Sequence, residues 1–151
     1  RTLGAGSVEA TRDVTARMTR WGLASGVVTG IVLAAGSPVL GRLFTQDREV
    51  RDLLVPVLLV AALFQPVAGV VFVLDGVLIG AGDGRYLAWG GVVVLVVFAP
   101  LAWLAVRLAP APGPGTLVWL WAAFGVGFIG CRAAVLLHRA RGSAWVVSGT
   151  A

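Results

Sequence analysis

Four uncharged stretches, each long enough to cross a lipid bilayer, constrain this 151-residue sequence more than any other feature. A helix needs about 20 apolar residues to cross roughly 30 Å of hydrocarbon. The stretches contain 21, 22, 21 and 24 residues and are bounded by Arg20 and Arg42, Asp52 and Asp75, Arg85 and Arg107, and Arg107 and Arg132. The pattern predicts an all-α polytopic membrane protein with four transmembrane helices.

Turn residues and charges set the predicted helix boundaries. The fourth stretch opens with APAPGPG at 109–115, whose prolines and glycines cannot continue a helix, so that helix is expected to begin near Thr116. Arg132 then comes close to the interface, where it could extend its guanidinium to water. The segment Ser7–Arg20 predicts a short interfacial helix. The predicted organisation is a cytoplasmic loop with this helix at 1–20, then, over 21–151, transmembrane helices at about 21–41, 53–79, 87–106 and 116–138 and a cytoplasmic tail.

Composition and charge support membrane insertion and predict an orientation. The chain is 58% hydrophobic and 13% charged, which excludes an ordinary soluble domain. All twelve basic residues are arginines that flank the apolar runs, so they indicate membrane borders and not a nucleic-acid surface. Eight arginines lie on the side of both chain ends and Arg85, against four on the side of Arg48. The positive-inside rule then predicts a protein of the inner (cell) membrane with both ends of this segment cytoplasmic.

The reactive residues do not form a catalytic pattern. One cysteine, Cys131, permits no internal disulfide, and with the single histidine, His138, it supplies too few ligands for a metal site. No nucleophile with a neighbouring base and no catalytic carboxylate pair is evident. We therefore expect no enzymatic activity, no cofactor and no metal.

Small residues recur at helical spacing within the predicted crossings. Gly22, Gly26 and Gly30 form a double G-xxx-G pattern, and Gly76 and Gly80 form another. Such faces allow helix backbones to approach closely in lipid, where there is little hydrophobic drive for helix association. We predict that these glycines serve helix packing.

A short internal repeat favours a transporter. The segment LGAGS at 3–7 matches IGAGD at 79–83, and each precedes a polar stretch and then an apolar run. Transporters are often built from repeated helix bundles.

Two polar residues interrupt the second apolar segment. Gln65 stands beside Pro66, which bends a helix and frees a carbonyl, so Gln65 either bonds a neighbouring helix or lines a water-filled path. About 20 residues counted from Leu53 already reach the far interface, so Asp75 is expected near the cytoplasmic rim.

The run FQPVAGVVFVLDGVLIGAGDGRYLAW at 64–89 resembles the tenth helix and following loop of the multidrug and toxic compound extrusion (MATE) transporters, in particular their DinF-like branch. The core LDGVLIGAGD is the specific part. The opening RTLGAG resembles the loop after the family's eighth helix. The resemblance extends to about Arg141, and the four crossings would be helices nine to twelve.

The resemblance implies a cation-coupled antiporter of two six-helix bundles, of which this chain would hold the last four helices of the second. The implied partners are the lipid bilayer, a small organic substrate that can be cationic, a coupling proton or sodium ion, and the missing N-terminal bundle. The cation-responsive aspartate of the family's first helix would lie in that missing part. In the NorM-like branch the tenth helix carries a tyrosine and an acidic residue, at positions that match Phe64 and Ala68 here. This departure argues against a sodium site in this bundle.

Within that framework Asp75 is expected to cap or gate the inner end of its helix, paired with Arg85 or with an arginine of the first loop. A proton-relay carboxylate is the alternative. Two other functions stay open: a flippase for a lipid-linked precursor, from the same superfamily, and a non-transporting membrane scaffold subunit. The predicted pathway-facing residues are Phe64, Gln65, Phe72 and Asp75.

Overall fold

The computed structural model describes residues 8–109 and 114–146, and nearly all of them are helical, with no strand in those ranges. Four helical segments are long and apolar enough to cross a membrane, the last of them covering 115–141, which confirms the predicted all-α, four-helix class. The elements in chain order are α1 (Val8–Phe44), α2 (Arg48–Gly80), α3 (Gly84–Arg107), α4 (Pro114–Phe124), a π-helix (Gly125–Gly130) and α5 (Cys131–Arg141).

α1 is one continuous helix where the sequence predicts an interfacial helix followed by a separate crossing. The threonines of its first half are compatible with helix because their hydroxyls bond within it. Thr15 Oγ1 donates to Thr11 O and Thr19 Oγ1 donates to Thr15 O, each at 2.8 Å. The helix therefore passes Arg20 without a break. The remainder of the predicted 1–20 loop, and the repeat segment Leu3–Ser7, lie outside the described residues.

α1 and α2 form an antiparallel hairpin held by close backbone contact. The glycines of α1 are four residues apart, at Gly22, Gly26 and Gly30. The residues that they contact on α2 are three or four residues apart, in the opposite chain direction. All three glycines are buried. Ideal Cβ atoms on them would collide with α2: Gly22 with Gly69 O at 2.7 Å, Gly26 with the Gln65 carbonyl and Pro66, and Gly30 with Ala62 O at 2.7 Å. The hairpin depends on small residues at these positions, as expected for helices packed in lipid.

Gly76 and Gly80 do not take part in such packing within the described chain. Both are exposed, and no atom lies within 4 Å of a Cβ built on either. The packing contact predicted for them is therefore not made here, because their side of α2 faces an open groove lined by Met18 and Phe72, among others.

Local signals fix the two turns that flank α2. At its start, Asp47 Oδ1 accepts the Glu49 N–H at 2.9 Å, which caps the helix. The helix continues through Pro56 and Pro66 to Gly80. Gly82 then adopts a φ of 76°, a conformation that favours glycine, and the chain turns into α3.

The most buried part of the molecule lies where α2 ends, α3 begins and α5 ends. Its hydrophobic cluster is closed by Trp145, which follows α5 and is 1% exposed. The Trp145 indole N–H lies 3.1 Å from Gly142 O and 3.3 Å from Ala140 O, so its polar atom is satisfied while its rings pack. The buried members of the cluster are Val71, Leu74, Leu78, Ala133, Leu136 and Trp145.

Candidate functional site

Asp75 and Arg132 form an ion pair between α2 and α5. Arg132 Nη2 donates to Asp75 Oδ1 at 2.6 Å and Nε lies 3.4 Å from Oδ2, so the guanidinium faces both carboxylate oxygens. Its third nitrogen, Nη1, lies 3.4 Å from Leu87 O of α3. The Arg132 and Asp75 side chains are only 17% and 24% exposed. One guanidinium thus links three helices in a setting where an uncompensated charge would be costly.

The sequence makes room for this arginine on α3. Gly90 is buried, and a Cβ on it would lie 2.9 Å from Val135 Cγ1 and 3.6 Å from Arg132 Nη1. A larger residue would push α3 away from α5. Gly90 therefore allows the approach that brings Arg132 to Leu87 O.

The partner predicted for Asp75 is wrong. Arg85 is exposed on the first turn of α3, and the carboxylate pairs with Arg132 instead. The first-loop arginines that were the other predicted partners do not pair with it either where the structure describes them, at 12, 17 and 20. The reason is helical register, since Asp75 lies about a turn and a half before the end of α2 and faces α5. Arg132 accordingly binds a carboxylate, where simple snorkelling to water was expected.

A second ion pair ties the α2–α3 turn to α5. Arg139 Nε donates to Asp83 Oδ2 at 2.6 Å and Nη2 to Oδ1 at 3.1 Å. The same guanidinium lies 4.6 Å from the centre of the Tyr86 ring, a cation–π contact. Tyr86 Oη in turn donates to Val135 O at 2.9 Å. We call this region, with Asp75, Asp83, Arg132, Arg139 and Trp145, the ion-paired end.

A π-helix lies one residue before Arg132. Gly125–Gly130 (GVGFIG) makes a six-residue π segment inside an otherwise α-helical rod, since Phe124 and Cys131 on either side have α-helical backbone angles. Such segments are rare and often occur at functional sites. The segment shifts the register of α5 relative to α4, and so determines which residue of α5 faces Asp75.

Two buried glycines of the π-helix receive aromatic rings from other helices. The Phe64 ring of α2 occupies the space where a Cβ of Gly125 would be, and Phe98 of α3 lies 3.0 Å from a Cβ built on Gly127. Phe98 also makes edge-to-face contacts with Phe124 and Phe128, at centroid distances of 5.9 and 5.6 Å. The π-helix is thus the contact point of α2, α3 and α4.

The predicted pathway residues do not converge on one cavity in the described part of the chain. Phe64 packs on the π-helix, whereas Phe72 is 74% exposed and borders the open groove beside Gly76. Gln65 is half-buried, and its backbone carbonyl lies against Gly26 of α1. Asp75 pairs with Arg132 of α5.

Several contacting residues were missed by sequence reasoning, although two features of the sequence carried a signal. Arg132 ends an apolar stretch in the same way as Asp75, and opposite charges at matching depths of two crossings suggest a pair. The three glycines of GVGFIG were a sign of close packing. The Asp83–Arg139 pair and the return of Trp145 depend on tertiary structure and had no comparable signal.

Comparison with known proteins supports the family suggested by the LDGVLIGAGD run. The MatE family model matches residues 1–104, more than half of the chain. The chain belongs to the MatE family. The predicted MATE membership is thus confirmed, while its DinF-like branch stays a prediction. The match includes Asp75 and Asp83, and their partners Arg132 and Arg139 lie beyond it.

A curated MatE relative points the same way. Protein DETOXIFICATION 42 of Arabidopsis thaliana is 38% identical over 81 residues, which are 54% of this chain and 16% of that protein. The matched part of the chain therefore spans about a sixth of the relative's length. No solved structure matches it.

Proposed function

We propose that this MatE chain is the C-terminal part of a DinF-like efflux antiporter that exchanges small organic compounds for protons by alternating access. Family membership supports transport, and the Asp75–Arg132 ion pair is the observation that carries the mechanism. The pair joins the second and fourth crossings and contacts the third through Leu87 O. We assign no enzymatic step to these residues.

In this proposal the Asp75–Arg132 pair is a gate contact. Separating the members of a largely buried ion pair leaves each charge poorly solvated. The closed pair is therefore favoured in free energy. A state in which α2 moves relative to α5 must either break the pair or hydrate it. The pair therefore favours the conformation seen here over one that opens the ion-paired end.

We further propose that both ends of this segment face the cytoplasm of a cell in whose inner membrane the protein resides. Support comes from the eight-to-four arginine bias. Single cysteines at positions 48 and 85, in a Cys131→Ser background, would be treated with an impermeant maleimide from outside. Labelling at position 48 alone is expected. Labelling at position 85 but not at 48 would mean that the orientation is the reverse of the one proposed.

The functional test is transport by the full-length protein in proteoliposomes, with a cationic dye and an imposed proton gradient. Asp75→Asn is expected to lower transport by altering the equilibrium between open and closed states, with substrate affinity retained. Asp83→Asn is a matched control. It removes the other ion pair at the same end, but Asp83 lies in the α2–α3 turn, so that pair does not directly join two membrane-crossing helices.

Three outcomes would change the proposal. If Asp75→Asn abolished proton-driven dye release while folding and gating were intact, Asp75 would be a proton relay. Dye movement driven by a sodium gradient but not by a proton gradient would identify sodium as the coupling ion. No dye movement by the folded full-length protein under either gradient would contradict efflux of such compounds.

The chain by itself is expected not to transport. Alternating access in secondary transporters usually moves one repeat or bundle against another around a central site, and four helices make less than one six-helix bundle. The 151 residues reconstituted alone should show no gradient-dependent dye movement. Movement by this chain alone would indicate an oligomeric small multidrug pump.

A further inference from the structure

Three arginines surround a cavity at the α1–α2 turn, opposite the ion-paired end. The cavity has a volume of about 540 Å³ and is lined by Pro38, Arg42, Arg48, Arg51, Asp52 and Val55. We call this region the arginine end. Three positive charges and one negative charge give the lining a net charge of two positive.

None of the three guanidinium groups has an acidic partner among the described residues. The two ion pairs found there are Asp75–Arg132 and Asp83–Arg139, both at the opposite end. Asp52 lines the same cavity and lies beyond ion-pair distance of these arginines. Asp47 is engaged in capping α2. No acidic side chain, Glu49 included, therefore forms an ion pair with an arginine of this cavity in the described part of the chain.

Arg51 is the most constrained of the three. Its side chain packs on Gly41, where a Cβ would lie 3.2 Å from Arg51 Cγ, and its Nη2 donates to Gln46 O at 3.2 Å. Its Nε atom is buried without a hydrogen-bond partner. A buried donor left unpaired is costly, and guanidinium groups bind planar or tetrahedral oxyanions through two donors at once.

We propose that the arginine end binds a phosphate group, with Arg51 as the fixed ligand and Arg42 and Arg48 as mobile ones. The apolar residues at the end of α1 place this cavity at the level of lipid headgroups, because Leu43 and Phe44 are 73% and 83% exposed just beside it. An anionic phospholipid is one source of that phosphate, and a soluble phosphate compound is the other. The site is independent of the proposed transported substrate.

Binding would be measured on the full-length protein. The lipid arm compares retention of phosphatidylglycerol with that of phosphatidylcholine by native mass spectrometry. The soluble arm titrates glycerol 3-phosphate and inorganic phosphate by calorimetry. Because loss of one charge-assisted contact weakens binding by about tenfold or more, Arg51→Gln is expected to lower affinity by that factor.

Arg107→Gln is the matched control. Arg107 ends α3 at the same end of the bundle as the cavity, but its guanidinium stacks on Trp103 at 5.0 Å, outside the cavity. If Arg51→Gln fails to fold, the exposed Arg42→Gln and Arg48→Gln variants are expected to weaken binding by about threefold each. Preference for phosphatidylglycerol that depends on these arginines identifies a lipid phosphate. Binding of glycerol 3-phosphate with the same dependence identifies a soluble one. Binding that none of the three substitutions alters would overturn the proposal.

Discussion

The two ends of the helical bundle treat their charges in opposite ways. At the ion-paired end, Asp75 and Asp83 each bind an arginine of α5 through two donors, beside a hydrophobic cluster closed by Trp145. At the arginine end, Arg42, Arg48 and Arg51 lie around an open cavity without an acidic partner in the described chain.

This difference shows that a cluster of charges at a membrane border has no fixed meaning. Ion pairs between crossings hold helices in one arrangement, whereas arginines without acidic partners leave charge available for a ligand or for headgroups. The two ends are joined by the α1–α2 hairpin, whose glycine contacts keep the helices at one spacing along the bundle.

The largest expected effect is loss of Arg132. Arg132→Gln leaves the carboxylate of Asp75 partly buried without a counter-charge, so we expect the free energy of unfolding of the full-length protein to fall by about 3 kcal/mol. The double variant Asp75→Asn with Arg132→Gln should lose less, because neither charge is then left alone. Denaturant unfolding in detergent micelles measures both. A double variant less stable than Arg132→Gln would show that the pair is not the source of the effect.

A valine at Gly26 tests the connection between the two ends. Gly26→Val places a side chain against the Gln65 carbonyl and Pro66, which must separate α1 from α2 at a cost of about 2 kcal/mol or more. Gly76→Val is the matched control, since no atom lies within 4 Å of a Cβ there, and should change stability by less than about 0.5 kcal/mol. Thermal unfolding of the full-length protein compares the two. Equal losses would mean that Gly76 also packs, against part of the protein outside this chain.

Much of this fold follows from the sequence because lipid imposes a simple length rule. Four uncharged stretches were enough to predict four crossings, and G-xxx-G spacing singled out Gly22, Gly26 and Gly30. The partner of Asp75 could not be obtained in this way. It lies 57 residues away, and whether Arg132 or Arg85 reaches it depends on the relative register of α2 and α5.

That register depends in turn on the π-helix, which has no hydrophobic period of its own to identify it. The sequence GVGFIG indicates close packing, but the π-helical hydrogen bonding is seen only in the folded chain, where Phe64 of α2 and Phe98 of α3 pack on Gly125 and Gly127. The predicted pathway set illustrates the same limit. Phe64 and Phe72 share a helix, yet Phe64 packs on Gly125 and Phe72 is exposed. The surroundings of each ring, and not its residue type, determine how far it is buried.

A smaller effect is expected at the second ion pair. Asp83→Asn removes the charge that Arg139 binds but leaves an amide oxygen to accept one hydrogen bond, and the cation–π contact with Tyr86 is retained. We therefore expect a loss of about 1 kcal/mol in the free energy of unfolding. Asp83→Ala, which also removes the acceptor, should cost more. Equal stability of the two variants would show that charge alone, and not hydrogen bonding, holds the turn.

The smallest expected effect lies at the arginine end, in the absence of added phosphate compounds. Arg48→Gln removes an exposed guanidinium that binds no acidic residue of the described chain, so the free energy of unfolding should change by less than about 0.5 kcal/mol. The free energy of unfolding is expected to change in either direction. The substitution relieves repulsion from Arg42 and Arg51 but also loses the favourable hydration of the guanidinium. Denaturant unfolding in lipid-free, neutral detergent measures it alongside Arg132→Gln. A loss at Arg48 as large as that at Arg132 would mean that an acidic partner from elsewhere in the protein binds this end, and the contrast between the two ends would disappear.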